Sequence, residues 1–325
     1  MFVLFPLMLA VSLLIAWAIM VAYTMWMITH PPRRGFAYAL SRGAPTDPAA
    51  ALGLTVGNDG QVPWRDWTVS SSNKALLKAW DVPGKNVAGP VVIVTHGWGD
   101  SRVVMLPRLP TLATHASRVI LWDMSGHGDS GGTCSLGTGE VDQLLRVIEA
   151  AGADRVVLYG FSLGAGVSIA AAARLGDRVS AVIAEAPYRW AITPARNVLH
   201  LRGLPHTLTL APAMMLLGVR FGLGLNWATR GTFDRASHAA KLSSRTSLCV
   251  LHTEQDAICP LADAREIAAA GRGTCTTIAD GAHADLWTSA RTRDAASDAV
   301  SHMLRALADR PPHLATPLQK AARDA

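Results

Sequence analysis

Charge is scarce in this chain. Only 17% of its 325 residues are Asp, Glu, Lys or Arg, whereas 50% are hydrophobic, and the mean hydropathy is +0.23. A mostly disordered chain is excluded by that balance, because disorder needs low hydrophobicity and high charge. The 30 basic residues outnumber 24 acidic ones and give a net charge of +6 and a pI near 9.5. They are nearly all arginine and are scattered rather than gathered into a stripe, which argues against a nucleic-acid groove and sets nucleic acid aside as a partner. Cysteine is also sparse. Cys134, Cys249, Cys259 and Cys275 have neither CxxC spacing nor the density of a secreted scaffold, so they do not by themselves make a metal site or a disulfide framework.

The longest absence is at the start, where residues 1–32 contain no charged side chain. Residues 7–29 would make a helix of about 35 Å at 1.5 Å per residue, enough to cross a hydrocarbon core of about 30 Å. A cleaved signal peptide would show basic residues ahead of a shorter apolar run. Here none precede it, although Ala37-Tyr38-Ala39 leaves cleavage open as an alternative. A buried soluble helix is a second alternative, for which Trp17, Tyr23, Trp26 and His30 would make a poor polar face. The expectation is a single-pass membrane anchor over residues 1–32. Arg33, Arg34 and Arg42 follow the span and no basic residue precedes it, which puts the rest of the chain on the cytoplasmic side.

Residues 33–62 are rich in Gly, Pro and Ala with little periodicity and read as a linker. Trp67-Thr68-Val69 and Ala75-Leu76-Leu77 bracket a polar stretch and suit a hairpin entering a sheet. Short continuous apolar runs follow at 91–95, 119–122, 155–159, 179–184 and 248–252, the pattern of strands buried on both faces. Helical patterns at 140–151 and 163–175 lie between them, and the alternation implies parallel βαβ units. It breaks between 188 and 245, where an apolar middle flanked by polar sequence reads as a helical cap insertion. The core is therefore assigned to 63–187 and 246–310, with a further strand at 275–279 and a last helix at about 295–308. Residues 311–325, opening on Pro311-Pro312, read as a fraying tail.

The most informative segment is Gly160-Phe161-Ser162-Leu163-Gly164, between an apolar run and an Ala-rich helix. This is G-x-S-x-G in the strand-to-helix setting it requires: an abrupt turn presents the serine in a strained backbone position, and the glycines avoid collision. Thr95-His96-Gly97-Trp98-Gly99-Asp100 closes an earlier strand. The backbone N–H groups of Trp98 and Leu163 are the candidate donors to an oxyanion. His96 has no second ligand at metal spacing beside it and reads as structural. The base should lie in a loop after the last strand, and His283 in Asp280-Gly281-Ala282-His283 fits; a surface histidine is the plainer reading. The acid should follow the preceding strand, where Asp256 is chosen over Glu254 because Asp256-Ala257-Ile258-Cys259-Pro260 opens a helix and fixes the loop.

With these residues in hand the chain resembles the α/β-hydrolase superfamily. It looks closest to the monoglyceride-lipase-like and serine-aminopeptidase-like branch, because Asp123-Met124-Ser125-Gly126-His127-Gly128-Asp129-Ser130-Gly131 is similar to that branch's D-x-R-G-x-G-x-S-x-G loop. It departs at Ser125, where the branch usually carries Arg, and at Thr253, where it usually has Gly. The resemblance covers residues 65–310 and implies an α/β-hydrolase fold, a mostly parallel sheet flanked by helices. It further implies Ser162 as nucleophile, Asp256 as acid, His283 as base, Trp98 and Leu163 as oxyanion donors, and Asp123 and His127 as structural loop residues. The expectation is a membrane-anchored serine hydrolase that cleaves an ester, thioester or amide through an acyl-enzyme. Its substrate would be a small-molecule or lipid-like acyl compound, and no metal or organic cofactor is implied. Acyl transfer by the same triad, or a non-enzymatic tethered binding module, remain the alternatives.

Overall fold

The computed structural model describes residues 4–54, 62–71, 75–204 and 206–308. The expected tail at 311–325, part of the linker (55–61) and the hairpin tip (72–74) lie outside the described residues. The chain opens with α1 (Leu4–Thr29), apolar on every side, so that only Val21, Thr24, Ile28 and Thr29 are buried against the rest of the protein. The stretch read as a linker holds two short helices, α2 (Phe36–Ser41) and α3 (Pro48–Leu52). The second starts on Asp47, whose carboxylate accepts from the Ala50 N–H at 2.8 Å, and stops at Gly53 in the left-handed region. Helices this short carry too little periodicity to stand out in the sequence.

The hairpin β1 (Arg65–Ser70) and β2 (Leu76–Pro83) is antiparallel. After it come β3 (Val91–Thr95), α4 (Leu109–His115), β4 (Arg118–Trp122), α5 (Glu140–Ala151), β5 (Val156–Phe161), α6 (Leu163–Leu175) and β6 (Val179–Glu185). The insertion then contributes α7 (Ile192–Leu201), α8 (Leu210–Arg220) and α9 (Arg235–Ala240), and α1 packs along α8. The chain returns with β7 (Ser247–Thr253), α10 (Leu261–Ala270), β8 (Thr274–Ile278) and α11 (Ala290–Ala308).

The eight strands form one sheet in the order β1-β2-β4-β3-β5-β6-β7-β8; β2 is antiparallel to both its neighbours and β4 through β8 run parallel. Helices cover both faces, so central strands must be apolar on both. In β5, Val156 and Leu158 join the core shared with α5, α6 and the insertion, while Val157, Tyr159 and Phe161 join the core under α4 and α11. This double burial leaves no polar face, which is why the strands read as continuous apolar runs. The parallel strands bring their C-terminal ends, and hence the loops after β3, β5, β7 and β8, to one edge of the sheet.

Candidate active site

Ser162 follows β5 directly and is the residue before α6, with φ +52° and ψ −110°. That conformation is costly for a residue with a side chain, by about 1–3 kcal/mol, and is held by its surroundings. The Ser162 N–H donates to the Glu185 carbonyl at 2.8 Å. A Cβ at Gly160 would overlap the Gly164 carbonyl, and one at Gly164 would overlap the Thr95 carbonyl, so both flanking positions exclude any side chain. The sharp turn leaves Ser162 7% exposed, at the floor of a cavity of about 470 Å³.

Asp256 lies in the loop between β7 and α10, and its Oδ1 accepts from the N–H groups of Ile258 and Cys259, both at 2.8 Å. Its Oδ2 accepts from Nδ1 of His283 at 2.7 Å. Because a carboxylate only accepts, this bond places the imidazole proton on Nδ1 and leaves Nε2 as acceptor for the Ser162 hydroxyl, 3.1 Å away. The three residues therefore form one continuous line from the loop after β7, through the loop after β8, to the turn after β5. Glu254, the alternative acid, is exposed on the same loop.

Burial disfavours a charged Asp256, but the His283 hydrogen bond and the two backbone donors outweigh it and hold the carboxyl below its ordinary range. Burial also disfavours an imidazolium at His283, yet the Asp256 carboxylate and its hydrogen bond outweigh that and raise the pKa above the ordinary value. Burial pushes the Cys259 thiol up. Cys259 is therefore neutral near pH 7, and the Asp256 carboxylate is the charge that acts on His283.

Leu163 is the first residue of α6, where the backbone N–H has no partner within the helix, and the positive helix end faces the same place. Trp98 lines the cavity with Leu163, and its indole N–H donates away from Ser162, to the Ile28 carbonyl at 2.9 Å. His96 is fully buried as a tie between strand ends. Its Nδ1 donates to the Gly97 carbonyl at 2.7 Å, its Nε2 accepts from the Met124 N–H at 3.0 Å, and burial lowers its pKa to about 4. Asp123 accepts from the backbone N–H groups of Arg102 and Asp129, at 2.6 and 2.9 Å, and pairs with the Arg102 guanidinium. His127 is buried against His96 with its pKa lowered to about 3, burial being the main cause. Both loop residues thus sit in structural roles.

Three features of the site were not singled out in the sequence. Cys259 is fully buried with its Sγ 3.9 Å from the Ser162 Oγ, and Asp256, Cys259 and His283 offer three donor atoms within 4.8 Å of one another. This set has the chemistry to hold a soft divalent ion, although Asp256 and His283 are already hydrogen-bonded to each other. Beneath the turn, Glu185 at the end of β6 takes two bonds from Arg108, at 2.6 and 2.8 Å, and one from the Tyr159 hydroxyl at 2.5 Å. The Arg108 guanidinium stands over Phe161, whose ring packs against His283. Finally, Met27 and Ile28 of α1 line the cavity beside Ser162. A second concavity, of about 430 Å³, lies at β1 and β2 beside Asp66 and Arg102, away from all of these groups.

Residues 90–215 match the family described as alpha/beta hydrolase fold. An esterase from Pyrococcus furiosus superposes with a TM-score of 0.60 at 18% identity, covering 86% of this chain and 98% of its own. A thermophilic esterase from Thermogutta terrifontis gives 0.55 at 18%, covering 75% and 99%. These likenesses, with the strand order, decide the architecture. The chain has the α/β-hydrolase fold. Among curated relatives, a pimeloyl-[acyl-carrier protein] methyl ester esterase of Aliivibrio salmonicida is 31% identical over 104 residues, which is 32% of this chain and 37% of that one. A biotin biosynthesis bifunctional protein of Cellvibrio japonicus is 37% identical over 94 residues, 29% and 18% of the two chains. This α/β-hydrolase chain thus spans well under half the length of either relative.

Proposed function

We propose that the protein is a membrane-anchored serine hydrolase that cleaves an ester through an acyl-enzyme. The observation that carries this reading is the hydrogen-bonded line Asp256–His283–Ser162 ending on the strained turn. In the mechanism Ser162 Oγ attacks the carbonyl carbon as His283 Nε2 takes its proton. The N–H groups of Trp98 and Leu163 stabilise the tetrahedral oxyanion. His283 then protonates the leaving oxygen, and the ester bond breaks. Water, deprotonated by His283, attacks the acyl-enzyme and returns Ser162 to its hydroxyl form. Asp256 holds the imidazole in the reactive tautomer throughout. The methyl ester esterase among the relatives favours an ester over a thioester or amide.

Cys259 is the rival nucleophile by distance, but its buried thiol resists ionisation, the opposite of a reactive cysteine. Ser162→Ala should abolish covalent labelling by a fluorophosphonate and turnover of p-nitrophenyl esters while far-UV circular dichroism is unchanged. Labelling that persists in the folded variant would assign the chemistry to another residue.

Membrane anchoring rests on α1, which is 26 residues long, free of charge and apolar all round. A cleaved leader is disfavoured by the hydrogen bonds that Ile28 and Thr29 accept from Trp98 and Cys134, since these tie the helix end into the site. The three arginines that follow the span favour a cytoplasmic catalytic domain. Carbonate washing should leave the full chain in the membrane fraction, and N-terminal sequencing should find no processing near residue 40.

A further inference from the structure

The C-terminal half of α1 is not a free tether. Its Trp17 indole N–H donates to the Leu208 carbonyl at 3.0 Å, and Val21, Thr24 and Ile28 are buried as α1 packs along α8. Trp17 precedes the helix end at Thr29 by 12 residues, about 18 Å at 1.5 Å per residue. A spanning helix has about 30 Å of hydrocarbon around it, so a group bonded 18 Å from its end lies deep in the bilayer.

The composition of α8, unlike that of α7 with its Arg196, agrees with that depth. The only charged residue of α8 is Arg220, at its last position. Leu208, Leu216 and Val219 turn outward with 70%, 49% and 60% of their surface exposed, an arrangement that water would penalise at roughly 25 cal/mol per Å² of apolar area. The catalytic cavity is lined by Met27 and Ile28 of α1 and by Val198, Leu201 and Arg202 around the end of α7. Arg34, Tyr38 and Arg42 also line it and follow the span in sequence, the position where headgroups and interfacial side chains meet.

Resting on the anchored-hydrolase reading, we propose that α8 of the insertion is seated in one leaflet alongside α1 and that the catalytic cavity opens into hydrocarbon there. The substrate is then an acyl ester resident in the membrane. Its chain enters against Met27, Ile28 and Leu201, and its carbonyl reaches Ser162 at the level of the headgroups without crossing water. Each methylene transferred from lipid into such a cavity changes little in hydrophobic energy, so selection comes from reach and shape.

The test is photolabelling of the full chain in phosphatidylcholine vesicles doped with phosphatidylcholine carrying a diazirine at the acyl terminus, with adducts mapped by peptide sequencing. Adducts are expected on Leu208, Leu216 and Val219 as well as on residues 4–20. They are also expected on Met27 or Leu201, and these alone should disappear after treatment with hexadecyl fluorophosphonate. Adducts confined to residues 4–20, or none at all, overturn the proposal. Cavity adducts that appear and survive the fluorophosphonate, with Ser162 unmodified, support the lipid-facing cavity and overturn the serine-hydrolase reading instead.

Discussion

At the scale of single residues, the site is a balance of burial against partners. His283 is the clearest case, because in the proposed mechanism its neutral form accepts a proton, while its raised pKa keeps it charged to higher pH than a free histidine. Protonated His283 cannot act as base, so kcat/KM for a soluble p-nitrophenyl ester should rise with pH through an inflection above 6.5. Asp256→Asn should move that inflection down by removing the carboxylate. It should also lower kcat by roughly 10⁴-fold through the wrong tautomer, as in the protease on which that magnitude was established. Glu254→Gln should change kcat by less than about threefold, since Glu254 is exposed; a reversal of the two results would make Glu254 the acid. Gly164→Ala drives a methyl group into the Thr95 carbonyl and should cost more than about 2 kcal/mol in denaturant unfolding. An unchanged midpoint would mean that the turn relaxes more freely than its packing suggests.

Among the elements, the strands and the turn they feed were legible in the sequence because double burial and the glycine pair leave strong local marks. Ser162 and Asp256 could be placed for the same reason, each following a strand that an apolar run reveals, whereas β8 ahead of His283 is polar and only partly buried, and that residue was placed by chain order and its Gly-containing loop. Less visible was whatever depends on contacts between distant segments. Glu185 and Arg108 are 77 positions apart and meet only once β6 and the segment before α4 are folded. Burial works against the charged guanidinium of Arg108, and Glu185 outweighs it and raises its pKa. Glu185→Gln should therefore leave a buried charge unpaired and lose about 3–5 kcal/mol of stability, read by denaturant unfolding. The role of the helix end was hidden likewise, since an apolar span gives no sign of the carbonyl it will offer. Residues 28–34 brace the loop after β3 three times: the Ile28 carbonyl takes the Trp98 indole, Arg34 pairs with Asp100 at 2.9 Å, and the Ser101 hydroxyl donates to the Arg34 carbonyl. Trp98→Phe keeps the ring and loses the first brace. It should lower kcat about tenfold with little change in KM, because a loosened N–H matters most once charge develops on the oxygen. A rise in KM alone would mean that Trp98 serves only to wall the cavity.

For the molecule as a whole, the proposed anchor and the proposed catalytic site share parts, and on that reading they should fail together. A conventional tether can be cut without consequence for the domain it carries. Here the cut removes Met27 and Ile28 from the cavity wall, Pro32 from its contact beside Gly99, and all three braces on the loop that carries Trp98. The sheet and both of its cores are built almost entirely from residues beyond 62, so a chain beginning at Ala44 should still fold, with near-native far-UV circular dichroism. It should leave the membrane fraction on carbonate washing. Its kcat/KM for a soluble short-chain p-nitrophenyl ester should nevertheless fall at least tenfold below that of the full chain in detergent micelles. The loss should grow with acyl length, because longer chains depend more on the missing wall. Since the substrate in this comparison is soluble, access to a bilayer cannot account for a difference. Equal activity of the two chains at every acyl length would reduce α1 to a tether and place the whole of the catalytic apparatus beyond residue 44.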